Sequence, residues 1–188
     1  MPDAAEAQRV LGAADLVCAA DVVEGAIARM AADLTRAVGD AYPLVLAVMG
    51  GAVFFAGQLL PRLAFPLDFD YLHVTRYRDR TVGGDIDWRV EPRLPLAGRT
   101  VVVLDDILDE GQTLAAIRER VLAAGAARFL AAVLCEKELG RAKPARADFT
   151  GVTVPDRYVF GCGMDVRGMW RNLPAIYAVN DGAARTKD

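Results

Sequence analysis

Leu44-Val45-Leu46-Ala47-Val48-Met49 is an unbroken apolar run that stops at Gly50-Gly51, the pattern of a strand buried on both faces. Thr100-Val101-Val102-Val103-Leu104, β-branched and preceded by Gly98, reads as the strongest strand of the chain, ended by Asp105-Asp106. Leu67–Val74 and Phe129–Cys135 read as further strands, with Asp156–Val159 and Ala175–Val179 as shorter ones. The first forty residues read as helix. There Asp21-Val22-Val23-Glu24 matches a capping box in which Asp21 accepts from the amide of Glu24. Ile27, Met30, Ala31 and Leu34 follow at helical spacing, and Gly39 supplies a stop. Ala52–Leu63, with Pro61 placed late, and Thr113–Ala124, closed by Gly125, read as two more helices. Arg76–Gly84 is polar and carries Gly83-Gly84, a loop, and Ile86–Val90 reads as a short β-ribbon. Strands alternating with helices predict an α/β fold with a central, mainly parallel sheet flanked by helices. Polar insertions fall at the strand ends, where such sheets place ligands.

The length of 188 residues suits one domain, and no repeat or low-complexity linker divides it. Hydrophobic residues make up 54%, enough for a substantial core, so disorder is excluded. A net charge of −3 gives no electrostatic footprint for nucleic acid. No apolar run reaches the roughly 18 residues that cross a bilayer. Met1-Pro2-Asp3 lacks the basic and apolar regions of a leader. Cys18, Cys135 and Cys162 are odd in number and scattered, without metal-ligand spacing, which suits a reducing cytoplasm. Lysine is scarce: Lys137, Lys143 and Lys187 are the only three among 22 basic residues. A lysine at a structured position therefore raises a chemical question.

The chemistry concentrates in Val101-Val102-Val103-Leu104-Asp105-Asp106-Ile107-Leu108-Asp109-Glu110-Gly111-Gln112-Thr113. A buried strand delivers two adjacent carboxylates to a tight turn that opens a helix. Amides of such a turn and helix N-terminus form an anion cradle, and Gly111 lets a phosphate approach. Asp105 and Asp106 would repel that phosphate, so they suit sugar hydroxyls or a divalent cation. An isolated Asp-Asp pair would more readily be read as capping a helix and solvating a turn. Four acids crowding one turn would cost stability without a cation or hydroxyls to offset them.

This stretch closely resembles the phosphoribosyl pyrophosphate motif of the type I phosphoribosyltransferases, and within them is most similar to the hypoxanthine-guanine phosphoribosyltransferases. The resemblance runs over roughly residues 40–181. It implies the fold of that family: a core of about residues 40–155 and a small hood from about 1–39 and 156–188, together one domain. It further implies that Asp105 and Asp106 contact the ribose hydroxyls and that Asp109, Glu110, Gly111, Gln112 and Thr113 hold the 5′-phosphate. Asp109 would sit near N7 of the purine as general base. Relatives often carry threonine and a basic residue where this chain has Glu110 and Gln112, which leaves phosphate binding to the backbone amides.

Met49-Gly50-Gly51 reads either as a plain strand-to-helix turn or, by the resemblance, as a pyrophosphate loop that commonly contains a non-proline cis peptide. A lysine or arginine often stands in place of Met49. Lys137 follows the strand Phe129–Cys135 at the ligand side of the sheet, where its ammonium could donate to a carbonyl oxygen. The resemblance makes it the reader of O6 of a 6-oxopurine. Tyr158, otherwise a packing aromatic, would stack on the purine. Val159 would read the base edge through its backbone, Asp165 would lie near the exocyclic group and the metal, and Arg171 would bind pyrophosphate. Bidentate guanidinium recognition suits that last role. Arg76-Tyr77 would open a catalytic lid, with Arg76 where serine is common. His73, the one histidine, is read as structural.

The implied activity is purine salvage: Mg²⁺-dependent transfer of the phosphoribosyl group to N9 of hypoxanthine or guanine, with Asp105, Asp106 and Asp165 as metal candidates. A homodimer or homotetramer is the implied assembly. Two alternatives stand beside it, a non-catalytic sensor of phosphoribosyl pyrophosphate or nucleotides and a transferase for another oxopurine such as xanthine. The absence of a basic face, together with Asp109, Lys137, Tyr158, Asp165 and Arg171, weighs against the sensor.

Overall fold

The computed structural model describes residues 3–76 and 86–180. In chain order the elements are α1 (Ala4–Gly12), β1 (Asp15–Cys18), α2 (Ala20–Val38), β2 (Leu44–Met49), α3 (Ala52–Leu59), β3 (Asp68–Arg76), β4 (Ile86–Val90), β5 (Thr100–Leu108), α4 (Gln112–Ala123), β6 (Arg128–Lys137), β7 (Phe149–Val154), β8 (Val159–Phe160) and β9 (Ile176–Ala178). A six-stranded sheet runs in the order β4-β3-β2-β5-β6-β7. All its neighbours are parallel except the edge pair β3–β4. The second sheet, β1-β9-β8, is antiparallel and joins the two ends of the chain.

The apolar strand runs dictate this arrangement. Leu44–Ala47 and Val101–Leu104 are almost wholly excluded from solvent, as strands covered on both faces must be. α2 and α3 pack on one another and on β2, β5, β6 and β7, and α4 packs on β6. The buried face of α2 includes Val23, Ile27, Met30, Ala31 and Leu34, the spacing that predicts an amphipathic helix.

Four sequence expectations are corrected. The first forty residues are not continuous helix, because Asp15–Cys18 forms β1 against β9. The Asp21 capping box is not made: α2 starts at Ala20, and the Asp21 carboxylate accepts from the amide of Val22 instead. The helix expected over Ala52–Leu63 ends at Leu59, and Leu60–Arg62, with Pro61, tightens into a 3₁₀ turn. Most consequentially, Asp105 and Asp106 do not end their strand. Ile107 and Leu108 stay in register with Cys135 and Glu136, so both acids lie inside β5. The strand at Phe149–Val154 was not anticipated from the sequence. Its Gly151 passes so close to β6 that a Cβ there would lie 2.5 Å from the Leu134 carbonyl oxygen.

Candidate active site

The C-terminal ends of β2, β5 and β6 meet at one edge of the large sheet, and the site is built there. Asp105 is buried, 8% exposed, and Asp106 beside it packs against the loop after β2. That loop carries a cis peptide between Met49 and Gly50 and passes Asp106 so closely that glycine is required. A Cβ on Gly51 would sit 1.8 Å from Asp106 Oδ2. Gly163 in turn lies over Gly51, since a Cβ there would fall 1.9 Å from the Gly51 carbonyl oxygen. Burial, reinforced by the adjacent Asp106 charge, pushes the Asp105 carboxyl well above the usual carboxylate range. Burial also raises Asp106, against the opposing pull of the Asp105 hydrogen bond, the Ile107 amide and Arg171.

Past Leu108 the chain turns through Asp109, Glu110 and Gly111. Gly111 takes φ 84, a left-handed conformation that glycine adopts without strain, and caps α4. The helix begins at Gln112, one residue earlier than its sequence pattern suggests, so the amides of Gln112 and Thr113 belong to its N-terminus. Glu110, an acid where an anion is expected, is paired with Arg141 at 3.1 Å. Lys137 is the last residue of β6, and its Nζ lies 3.1 Å from Asp109 Oδ2. This ion pair joins the β5 turn to the end of β6.

The opposite wall comes from the second sheet and the turns around it. Tyr158, just before β8, is 51% exposed at the cavity mouth, and its carbonyl accepts from Val179. Val159 pairs with Ala178 of β9. Arg171 donates through Nη1 to the Gly163 carbonyl at 2.7 Å and pairs through Nη2 with Asp165 Oδ1 at 2.5 Å. The second oxygen of Asp165 accepts from the Gly168 amide at 2.6 Å. From this anchor the Arg171 charge acts on Asp106, the residue that the Gly51 loop packs against.

Two cavities share this ground. One, about 260 Å³, is lined by Met49, Gly51, Asp105, Asp106 and the Asp109–Thr113 turn. The other, about 210 Å³, is lined by Asp109, Lys137, Tyr158, Val159, Met164 and Asp165. Asp106, Ile107 and Asp109 belong to both. Tyr77 lies outside the described residues. Arg76 ends β3, and of the two Arg76-Tyr77 lid residues only its backbone is described. Sequence reasoning missed Met164 and Ile107 as lining residues, and Arg141, Glu136 and Lys143 as supports. No local motif marks Arg141, Glu136 and Lys143, because their contacts span turns of irregular length.

A divalent cation fits the acids at this edge. Among the described residues no group of three or more His, Cys, Asp or Glu side chains converges as a metal cage. Magnesium does not need one, since it is typically held by one or two carboxylates plus substrate phosphates and water. Asp105 and Asp106 offer two carboxylates whose burial and mutual repulsion a cation would relieve. Asp165 is already engaged by Arg171 and Gly168.

A family model for the phosphoribosyl transferase domain matches residues 19–167. The chain is 32% identical over 157 residues to the hypoxanthine-guanine-xanthine phosphoribosyltransferase of Tritrichomonas foetus, covering 83% of this chain and 86% of that protein. It is 32% identical over 161 residues to the hypoxanthine-guanine phosphoribosyltransferase of Bacillus subtilis, covering 82% and 86%. A solved hypoxanthine-guanine-xanthine phosphoribosyltransferase superposes with a TM-score of 0.81 at 29% identity, over 89% of this chain and 97% of that one. A Staphylococcus aureus hypoxanthine phosphoribosyltransferase reaches 0.85 at 21% identity, over 93% and 94%, a likeness of fold. The parallel sheet, the Asp105–Thr113 motif and these relatives agree: the chain belongs to the phosphoribosyltransferase family, among the hypoxanthine-guanine phosphoribosyltransferases.

Proposed function

We propose that the protein transfers the phosphoribosyl group of phosphoribosyl pyrophosphate to N9 of hypoxanthine or guanine, releasing pyrophosphate in a purine salvage reaction. The observation that carries this reading is the pairing of Lys137 Nζ with Asp109 Oδ2 at 3.1 Å in the wall of the cavity that Tyr158 and Val159 also line. A donor beside an acceptor matches the edge of a 6-oxopurine, where O6 accepts next to an N7 that can carry a proton. Adenine places an amino group at that spot and would set donor against donor.

In this reading the turn amides of Asp109–Thr113 hold the 5′-phosphate, and Asp105 and Asp106 hold the ribose hydroxyls. Met49, Gly50, Gly51 and Arg171 hold the pyrophosphate. Tyr158 covers the purine face, with Val159 and Asp165 at its edge. Asp105 and Asp106 would hold magnesium, which would supply positive charge to offset that of the leaving group. The Arg171 guanidinium adds to that stabilisation, and the nearby carboxylates favour the cationic character that develops on the sugar. Asp109 takes or shares the N7 proton while Lys137 fixes O6. General base assistance of this kind contributes roughly 10²–10⁴-fold. Asp109→Asn is therefore expected to lower kcat by about that factor with little change in phosphoribosyl pyrophosphate affinity. We read the whole chain as one domain, assembled as a homodimer or homotetramer.

The test is pyrophosphate release with phosphoribosyl pyrophosphate and Mg²⁺ against hypoxanthine, guanine, xanthine, adenine and uracil. Turnover with hypoxanthine or guanine and none with adenine or uracil is expected. Absence of turnover with every 6-oxopurine would overturn the reading.

A further inference from the structure

Lys143 has no role in the reaction just described, yet it is one of only three lysines in the chain and its side chain is 8% exposed. A buried ammonium persists only where its donors are satisfied. Here all three find acceptors: the Leu108 carbonyl at 3.0 Å, the Lys137 carbonyl at 2.7 Å and Glu136 Oε1 at 3.3 Å. Glu136 is itself held, because its Oε2 accepts from the Thr150 hydroxyl at 3.1 Å. The two carbonyls come from neighbouring parallel strands at the end of their ladder, where β5 and β6 last pair at Leu108 and Glu136. The β5–β6 ladder ends at that point. Lys143 bonds to both just there, and its own backbone stretch packs under the phosphate turn. A Cβ on Gly111 would lie 3.2 Å from Lys143 Cβ and 3.4 Å from Ala145.

Leu108 precedes Asp109, and Lys137 is the other member of the ion pair, so Lys143 grips the backbone on both sides of that pair. We propose that Lys143 is a positioning residue: it fixes the spacing of Lys137 against Asp109, and so the match of the site to a 6-oxopurine. The proposal rests on the salvage reading above. Its chemistry is that of a cross-strand tie, in which one ammonium replaces the ladder bonds that two strands lose where they part. Glu136 orients the ammonium and neutralises it.

The test is a double-mutant cycle of Lys143→Met and Lys137→Ala in the full-length enzyme, reading kcat and KM for hypoxanthine with thermal midpoints alongside. Displacing a positioned group by about 1 Å costs on the order of 100-fold, so Lys143→Met alone should lower kcat/KM roughly 10- to 100-fold. In the Lys137→Ala background the same change should cost about threefold or less, because the spacing it sets no longer matters. Lys143→Arg, which keeps the charge, should recover part of the loss. An equal penalty in both backgrounds, or a Lys143→Met enzyme within about twofold of wild type, would overturn the proposal. If Lys143→Met does not fold, Glu136→Gln takes its place in the cycle under the same criteria. If the wild type turns over no oxopurine at all, the salvage reading fails first and the proposal falls with it; turnover with an additive cycle refutes the positioning alone.

Discussion

Replacing Gly51 with alanine isolates a steric demand from a conformational one. Gly51 has φ −67 and ψ −42, a conformation any residue adopts, so its backbone does not require glycine. Through the unfolded chain, alanine would even add about 0.4–1 kcal/mol of stability. What forbids it is Asp106: the new methyl would lie 1.8 Å from Oδ2, 2.3 Å from Cγ and 2.8 Å from Oδ1. Ordinary contact is about 3.5 Å, so the carboxylate must retreat by roughly 1.7 Å or the loop must lift by as much. Asp106 sits within a strand bonded to β6 on either side of it, and its carboxylate cannot move that far without leaving its rotamer. Overpacking of this kind costs about 1–3 kcal/mol and exceeds the entropic gain. At about 2–4 °C per kcal/mol for a chain of this size, the melting midpoint should fall by several degrees. The larger effect should fall on catalysis. A ribose ligand or a pyrophosphate loop displaced by more than 1 Å predicts about 100-fold lower kcat/KM for phosphoribosyl pyrophosphate. Steady-state pyrophosphate release and differential scanning calorimetry measure both quantities. Asp106→Ala supplies the control, since removing the carboxylate should abolish the stability penalty of Gly51→Ala. A Gly51→Ala enzyme with wild-type kcat/KM and midpoint, or an undiminished stability penalty in the Asp106→Ala background, would refute the reasoning.

Asp70 makes a pH prediction. Burial would raise its carboxyl, but the amides of Tyr71, Leu94 and Arg93 and the Arg93 charge outweigh that and hold it below the usual value. A depressed folded-state pKa contributes stability that is present above the unfolded value of about 3.9 and is lost as pH falls through the folded one. Asp70→Asn should therefore melt below wild type at pH 7, with the gap closing below about pH 4; a gap that widens in acid would contradict this. The thiols make a second. Burial, with the Cys18 thiol nearby, pushes Cys162 up to about 12, and burial likewise raises Cys135 and Cys18. Because the thiolate is the reactive form, native protein at pH 8 should alkylate far more slowly than unfolded protein, as mass spectrometry after iodoacetamide would show. Rapid labelling of Cys162 in the native state would count against it.

The strands that carry the site were legible because burial on both faces leaves an unmistakable mark. Leu44–Met49 is read from its composition alone, and its helix begins at Ala52 as the glycines imply. The ends of strands were less legible. Asp105 and Asp106 look like terminators, yet Ile107 and Leu108 extend β5 because β6 offers partners for them, a fact of pairing that no local pattern carries. β1 was missed because Asp15–Cys18 is short and no more than partly buried, and β7 because Gly151 interrupts its alternation. Among site residues, those with a resemblance to a motif could be named in advance. Lys143, Glu136 and Arg141 could not, because each acts through a partner across a turn whose path only the fold determines.

The second sheet carries a consequence for how the enzyme comes into being. β9 lies between β1 and β8, so the strand beside Tyr158 and Val159 is stitched to the beginning of the chain by residues near its end. The large sheet, by contrast, is complete by Val154. During synthesis from the N-terminus, the edge to which we assign the sugar phosphate can therefore assemble while the wall we assign to the base still waits for residues 176–178. On the proposed reading, a ribosome-bound chain stalled before that point would have a seat for the sugar phosphate and no seat for the purine.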